Sequence, residues 1–157
     1  EDIKSLAEPL TLTTIKLYTD IIENFLPTPA KCHYLFNLRD VSKVFQGVYL
    51  AQPKLYEERE QVLRLWLHEC CRVFMDRLIS HEDRDKLRLA IDNCMDAGLQ
   101  VRWKEIAGDD PDMVFASINL SNPEDDSAPY EHISDRKGLK AFMDQKVEDY
   151  NLQFKKL

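Results

Sequence analysis

The feature that most constrains this chain is the stretch from Glu57 to Ile79. Its apolar residues, Val62, Leu63, Leu65, Trp66, Leu67, Cys70, Cys71, Val73, Phe74, Met75, Leu78 and Ile79, surround most of a helical circumference. The polar remainder, Gln61, Arg64, His68, Arg72 and Asp76, steps by three or four along one narrow line. A helix so apolar must be enclosed by others, and it reads as the central post of a helical bundle. Its neighbours show the same period. Leu10, Ile15, Leu17, Tyr18, Ile21, Ile22 and Phe25 mark a helix from about Ala7 to Leu26, stopped by Pro27-Thr28-Pro29. Lys31 to Phe36 reads as a short, extended link. Asn37 is a good N-cap for the next helix, with Asp40 three residues on completing a variant of the capping box. That helix carries a stripe of Leu38, Val41, Val44, Phe45, Val48 and Tyr49 and stops at Pro53. Ser80 caps a further helix with an acidic first turn, an inner face of Leu87, Ile91, Cys94 and Met95, and Gly98 as its expected C-cap.

Beyond Gly108 the texture changes. Met113 to Ile118 reads as a strand without a partner in the chain, and an acidic loop through Asn122 to Pro129 follows. Ser134 or Asp135 then starts an amphipathic helix with Leu139, Phe142, Met143, Val147, Tyr150 and Phe154 on one side. The expected fold is therefore mainly α: a helical bundle with one short extended segment and a C-terminal amphipathic helix. A lone strand is not stable by itself. Together with the opening Glu1-Asp2-Ile3, which lacks an initiator Met and a signal-like segment, it suggests an excised fragment or processed product.

Composition excludes several classes. Hydrophobic residues make up 44% and charged residues 31% of the chain, a globular balance. No apolar run approaches the roughly 20 residues of a membrane span. A net charge of −7 disfavours a phosphate-backbone grip on nucleic acid. Only four glycines occur (Gly47, Gly98, Gly108, Gly138), none close to another, so neither GxxxxGK[ST] nor GxGxxG can be assembled. Cys32, Cys70, Cys71 and Cys94 form no CxxC pair and read as buried, reduced thiols. His68, Cys70 and Cys71 share a helical turn, but a second pair of ligands is missing, so no metal site is expected. His33, His81 and His132 have no nucleophile or paired carboxylate at motif spacing, and no hydrolase is readable.

Arg39 breaks a local rule. It stands in the first turn of its helix, where a cation opposes the helix macrodipole at a cost of roughly 0.3–1 kcal/mol. An arriving anion would explain it, with free backbone N–H groups, the positive helix end and the guanidinium converging on one phosphate. A salt bridge to adjacent Asp40 or another acid is the structural alternative.

Several ordered blocks strongly resemble dynein heavy chains: Leu26-Pro27-Thr28-Pro29-Ala30-Lys31, His33-Tyr34, Phe36-Asn37-Leu38-Arg39-Asp40 and Val44-Phe45-Gln46-Gly47. Leu65-Trp66-Leu67-His68-Glu69, Arg72-Val73-Phe74, Asp76-Arg77-Leu78 and Glu82-Asp83-Arg84 continue the match. The resemblance is to the small helical lid of the third AAA+ module, in the wording of the axonemal heavy chains, and is strongest over residues 8–84. It implies a helical AAA+ lid over residues 1–108 and, over 109–157, a connector with the first helix leading into the next module. It places Arg39 at the sensor-two position, reaching nucleotide phosphates, with Leu38 near the base or sugar. It implies a non-catalytic piece of an ATP-driven microtubule motor, with ATP or ADP and Mg bound only by the complete module. The implied partners are neighbouring AAA+ subdomains of the same heavy chain, microtubules and other dynein chains, with no nucleic acid and no membrane. The implied location is the cytoplasm and cytoskeleton, in the axoneme of a cilium or flagellum. A stand-alone helical interaction domain is the alternative.

Overall fold

The computed structural model describes residues 3–108, 110, 113–120 and 127–154. They divide into two compact units, Glu1–Asp112 and Met113–Leu157.

The first unit is a helical bundle: α1 (Ile3–Asn24), α2 (Leu38–Tyr49), α3 (Arg59–Cys70), α4 (His81–Leu99) and the short α5 (Trp103–Ala107). α1 packs chiefly on α4, and α2 on α3. Trp66, Leu67, Phe74, Leu17, Ile21, Leu87, Ile91 and Met95 are wholly buried between them, so the apolar Glu57–Ile79 segment is indeed the centre of the core.

Several local expectations change. α1 begins at Ile3 and contains Pro9. The threonines that weaken such a helix in isolation are satisfied within it: Thr11, Thr14 and Thr19 donate to the carbonyls of Ala7, Leu10 and Ile15 at 2.8, 2.7 and 3.0 Å. Thr14 Oγ1 also accepts from Trp66 Nε1 at 2.9 Å, which keys α1 to the post. The link after α1 is not extended at first but makes a 3-10 turn over Pro29–Lys31. The post is not one regular helix: after Cys70 it widens into a π turn, Cys71–Met75, in which Asp76 N–H reaches the Cys71 carbonyl at 3.0 Å.

Gly98 does not cap α4. It lies inside the helix where α1 crosses, and a Cβ there would collide with Thr13 Oγ1. Gln100 takes the left-handed C-cap instead, at φ 56°. α5 has no apolar period of its own. It is assembled on α4: Asp92 accepts from Trp103 N–H at 2.7 Å, and Arg102 bridges Asp92 and Asp96, each at 3.0 Å.

In the second unit the strand does have a partner. β1 (Phe115–Ala116) pairs antiparallel with β2 (Glu131–His132), with Phe115 opposite His132 and Ala116 opposite Glu131. Ile133 N–H extends the ladder to the Val114 carbonyl at 2.9 Å. The partner lies beyond the acidic stretch, most of which (residues 121–126) is outside the described residues, and its Glu-His pair has no strand period to announce it. α6 (Arg136–Phe154) follows, with Asp135 Oδ1 capping it by accepting from Gly138 N–H at 2.9 Å.

Candidate functional site

The first turn of α2 is built from both sides. Asn37 Oδ1 accepts from Arg39 N–H at 2.9 Å, and Asp40 Oδ2 accepts in return from Asn37 N–H at 3.0 Å, closing the expected capping box. Asp40 N–H also reaches the Asn37 carbonyl at 2.9 Å. The amides expected to be free for an anion are thus already committed at Arg39 and Asp40. What this helix end offers a phosphate is the Arg39 side chain.

Asp40 turns inward and is 1% exposed. It does not pair with Arg39. Its partners are Arg77, with Nη2–Oδ1 at 2.9 Å and Nη1–Oδ2 at 3.3 Å, and Lys43 at 3.2 Å. Burial pushes the Asp40 carboxyl upward, but Arg77, the Asn37 amide and Lys43 together outweigh it and hold the group below the usual carboxylate range. Arg39 is exposed, and among the described residues no side-chain hydrogen bond or ion pair engages its guanidinium. Leu38 beside it is 70% exposed, and Leu35 is exposed too. Leu38 and Tyr49 therefore leave the expected apolar stripe, and the buried face of α2 is Asp40, Val44 and Gly47.

A second acid fixes the other end of the link. Asp83, in the first turn of α4, accepts from Lys31 Nζ and from Tyr34 Oη, the latter at 2.9 Å, while its own N–H donates to Ser80 Oγ at 3.2 Å. Tyr34 Oη in turn accepts from Ile79 N–H at 3.1 Å. The Lys31 ammonium chiefly, against the cost of burial, and the Ser80 and Tyr34 hydrogen bonds lower the Asp83 carboxyl to about 2. Neither Asp83 nor Arg77 stood out in the sequence, because their partners lie 49 and 37 positions away.

Glu69 is fully buried. Arg72 grips its Oε2 from Nη2 at 2.6 Å and Nε at 2.9 Å. The carboxylate lies over Gly47, where a Cβ would overlap it, so α2 and α3 meet at the one residue that leaves room. His68 Nε2 stands 3.8 Å from Glu69 Oε1. Burial drives the Cys70 thiol well above its ordinary range. Among the described residues no three potential metal ligands gather.

A capped bundle with a solvent-facing arginine at one helix start is the geometry of a lid that closes on something outside itself. The family model for the dynein heavy chain ATPase lid domain matches residues 1–84. The chain is 40% identical over 149 residues to human "Dynein axonemal heavy chain 1", covering 95% of this chain and 3% of that protein. It is 33% identical over 153 residues to the Chlamydomonas reinhardtii "Dynein-1-beta heavy chain, flagellar inner arm I1 complex", covering 98% and 3%. Human "Dynein axonemal heavy chain 10" is 36% identical over 151 residues, covering 96% and 3%. The chain belongs to the dynein heavy chain family and carries its ATPase lid domain. It spans about 3% of the length of these relatives.

Proposed function

We propose that this chain is the lid of an AAA+ module in an axonemal dynein heavy chain, and that it senses nucleotide without catalysing its hydrolysis. Residues 1–108 form the lid, and residues 109–157 form the connector and first helix toward the next module. The motor is microtubule-based and ATP-driven, works in the axoneme of a cilium or flagellum, and contains other dynein chains. Within it, the lid works against neighbouring AAA+ subdomains of the same heavy chain. The complete module supplies ATP or ADP with Mg. Arg39 meets the phosphates, and Leu38 lies against the base or sugar.

One observation carries the reading. Arg39 is held at the open end of α2 by a fully formed cap, yet its charge has no partner among the described residues, while the adjacent Asp40 is buried and committed to Arg77. A guanidinium placed at an unfavourable helix end and left unpaired is a binding group awaiting an anion. In one nucleotide state Arg39 gains that partner and in another it loses it. This differential contact relays the state of the module around the ring.

The test is Arg39→Ala in the motor. Losing charge-assisted hydrogen bonds of about 1.5–3 kcal/mol weakens Mg·ATP or Mg·ADP binding at this module by about ten- to a hundredfold. Unchanged nucleotide affinity, accompanied by a clear loss of fold stability, overturns the sensor assignment.

A further inference from the structure

We infer that Arg77 is the positioning residue of the Arg39 site, setting the reach of Arg39 by locking the first turn of α2 through Asp40. The inference rests on the nucleotide-sensing reading of Arg39 above and adds what holds that residue in place.

Arg77 brackets the entry to α2 at three successive points. Its Nη1 donates to the Leu35 carbonyl at 2.8 Å. Its guanidinium carbon lies 4.8 Å from the centre of the Phe36 ring. Both Nη atoms then close on the Asp40 carboxylate. That same carboxylate accepts from Asn37 N–H, and Asn37 in turn holds Arg39 N–H. The path from Arg77 to the Arg39 backbone is therefore an unbroken chain: guanidinium, buried carboxylate, cap residue, sensor residue.

The geometry depends on the π turn. Five residues, Cys71–Met75, make the last turn of the post before Leu78 N–H bonds back to the Met75 carbonyl at 2.9 Å. A π turn carries one residue more than an α turn and rotates everything after it, and such turns concentrate where a side chain must be re-aimed. Here the side chain that follows is Arg77. The planar fork also matters: an ammonium at this position lacks the geometry to hold both carboxylate oxygens and the Leu35 carbonyl together. Lys43, the other cation on Asp40, is about half exposed and contacts one oxygen only, so it does not replace Arg77.

A double-mutant cycle in the motor that carries this lid tests the inference, with Mg·ADP affinity at this module and thermal stability read for each protein. Arg77→Met is expected to weaken Mg·ADP binding about tenfold, and Arg39→Ala by at least as much. The double variant should bind no more weakly than Arg39→Ala alone, because Arg77 acts through Arg39. Asp40→Asn, which keeps an acceptor for Asn37 N–H, breaks the same link from the other side and should reproduce the Arg77→Met loss even if Arg77→Met fails to fold. A lowered melting temperature with unchanged affinity in Arg77→Met or Asp40→Asn overturns the inference and leaves the sensor reading standing. Losses that multiply in the double variant do the same. If Arg39→Ala itself leaves Mg·ADP affinity unchanged, the sensor reading fails and the inference falls with it.

Discussion

α4 and α6 are each 19 residues long and each carries an apolar face, yet they end in opposite circumstances. α4 buries Asp83, Leu87, Ile91, Cys94, Met95 and Leu99, while no residue of α6 is buried. Val147 is 56% exposed and Tyr150 63%. The contrast separates two things that an amphipathic pattern merges. The period of a helix says which face seeks cover, but the cover comes from elements distant in sequence. α4 has α1 across it and α5 folded onto its flank. α6 shows its stripe to solvent, which suits a surface that another subdomain covers.

The largest test of this contrast compares Ile91→Ala with Val147→Ala. Truncating the wholly buried Ile91 should cost about 2–5 kcal/mol in denaturant unfolding. Truncating Val147 should stay within about 0.5 kcal/mol. Equal losses would show that the α6 face is covered in solution, and the contrast would fall. Amide exchange gives the same comparison without mutation: the Arg59–Cys70 amides should exchange far more slowly than those of α6.

Glycines sharpen it further. Ordinarily Gly→Ala inside a helix gains up to about 1 kcal/mol. At Gly98 the added methyl meets Thr13, a buried residue of α1, so Gly98→Ala should destabilise by about 1–3 kcal/mol in thermal melts. At Gly138 the methyl meets the exposed cap Asp135, which has room to swing aside, and the net change should stay below about 1 kcal/mol.

Acid should separate the two helices more gently. Asp83 at the head of α4 is lowered from 3.8 to about 2, so its contribution is complete above the ordinary carboxylate range and disappears as pH falls through about 2. Denaturation midpoints measured from pH 6 down to 2 should decline between about 4 and 2, and Asp83→Asn should flatten that part of the curve. An unchanged slope in Asp83→Asn would mean that Lys31 and Tyr34 do not hold the carboxylate in solution.

The smallest effect is expected at Arg39. In the chain by itself, Arg39→Ala should be neutral or stabilising by at most about 0.3–1 kcal/mol, since it removes a cation from the positive end of α2. A melting temperature that clearly falls would instead assign Arg39 a structural partner.

Local chemistry was legible from the residues. Asn37 with Asp40 announced the cap of α2, Ser80 announced that of α4, and the apolar circumference of Glu57–Ile79 announced the core. Each depends on neighbours within about four positions, where helical geometry alone dictates who meets whom. The ordered blocks around Asn37-Leu38-Arg39-Asp40 likewise pointed to the lid family, since word order needs no fold to be read. Only the tertiary structure decided the rest. Asp40 might have paired with Arg39 next door, but the backbone turns the two side chains to opposite sides of α2, and Arg77 arrives from the far end of the post. Gly98 marks a helix crossing rather than a helix end, and β1 finds β2 across the acidic stretch. These pairings join positions 15 to 85 apart, and periodicity carries no record of contacts made by chain folding rather than by a single turn.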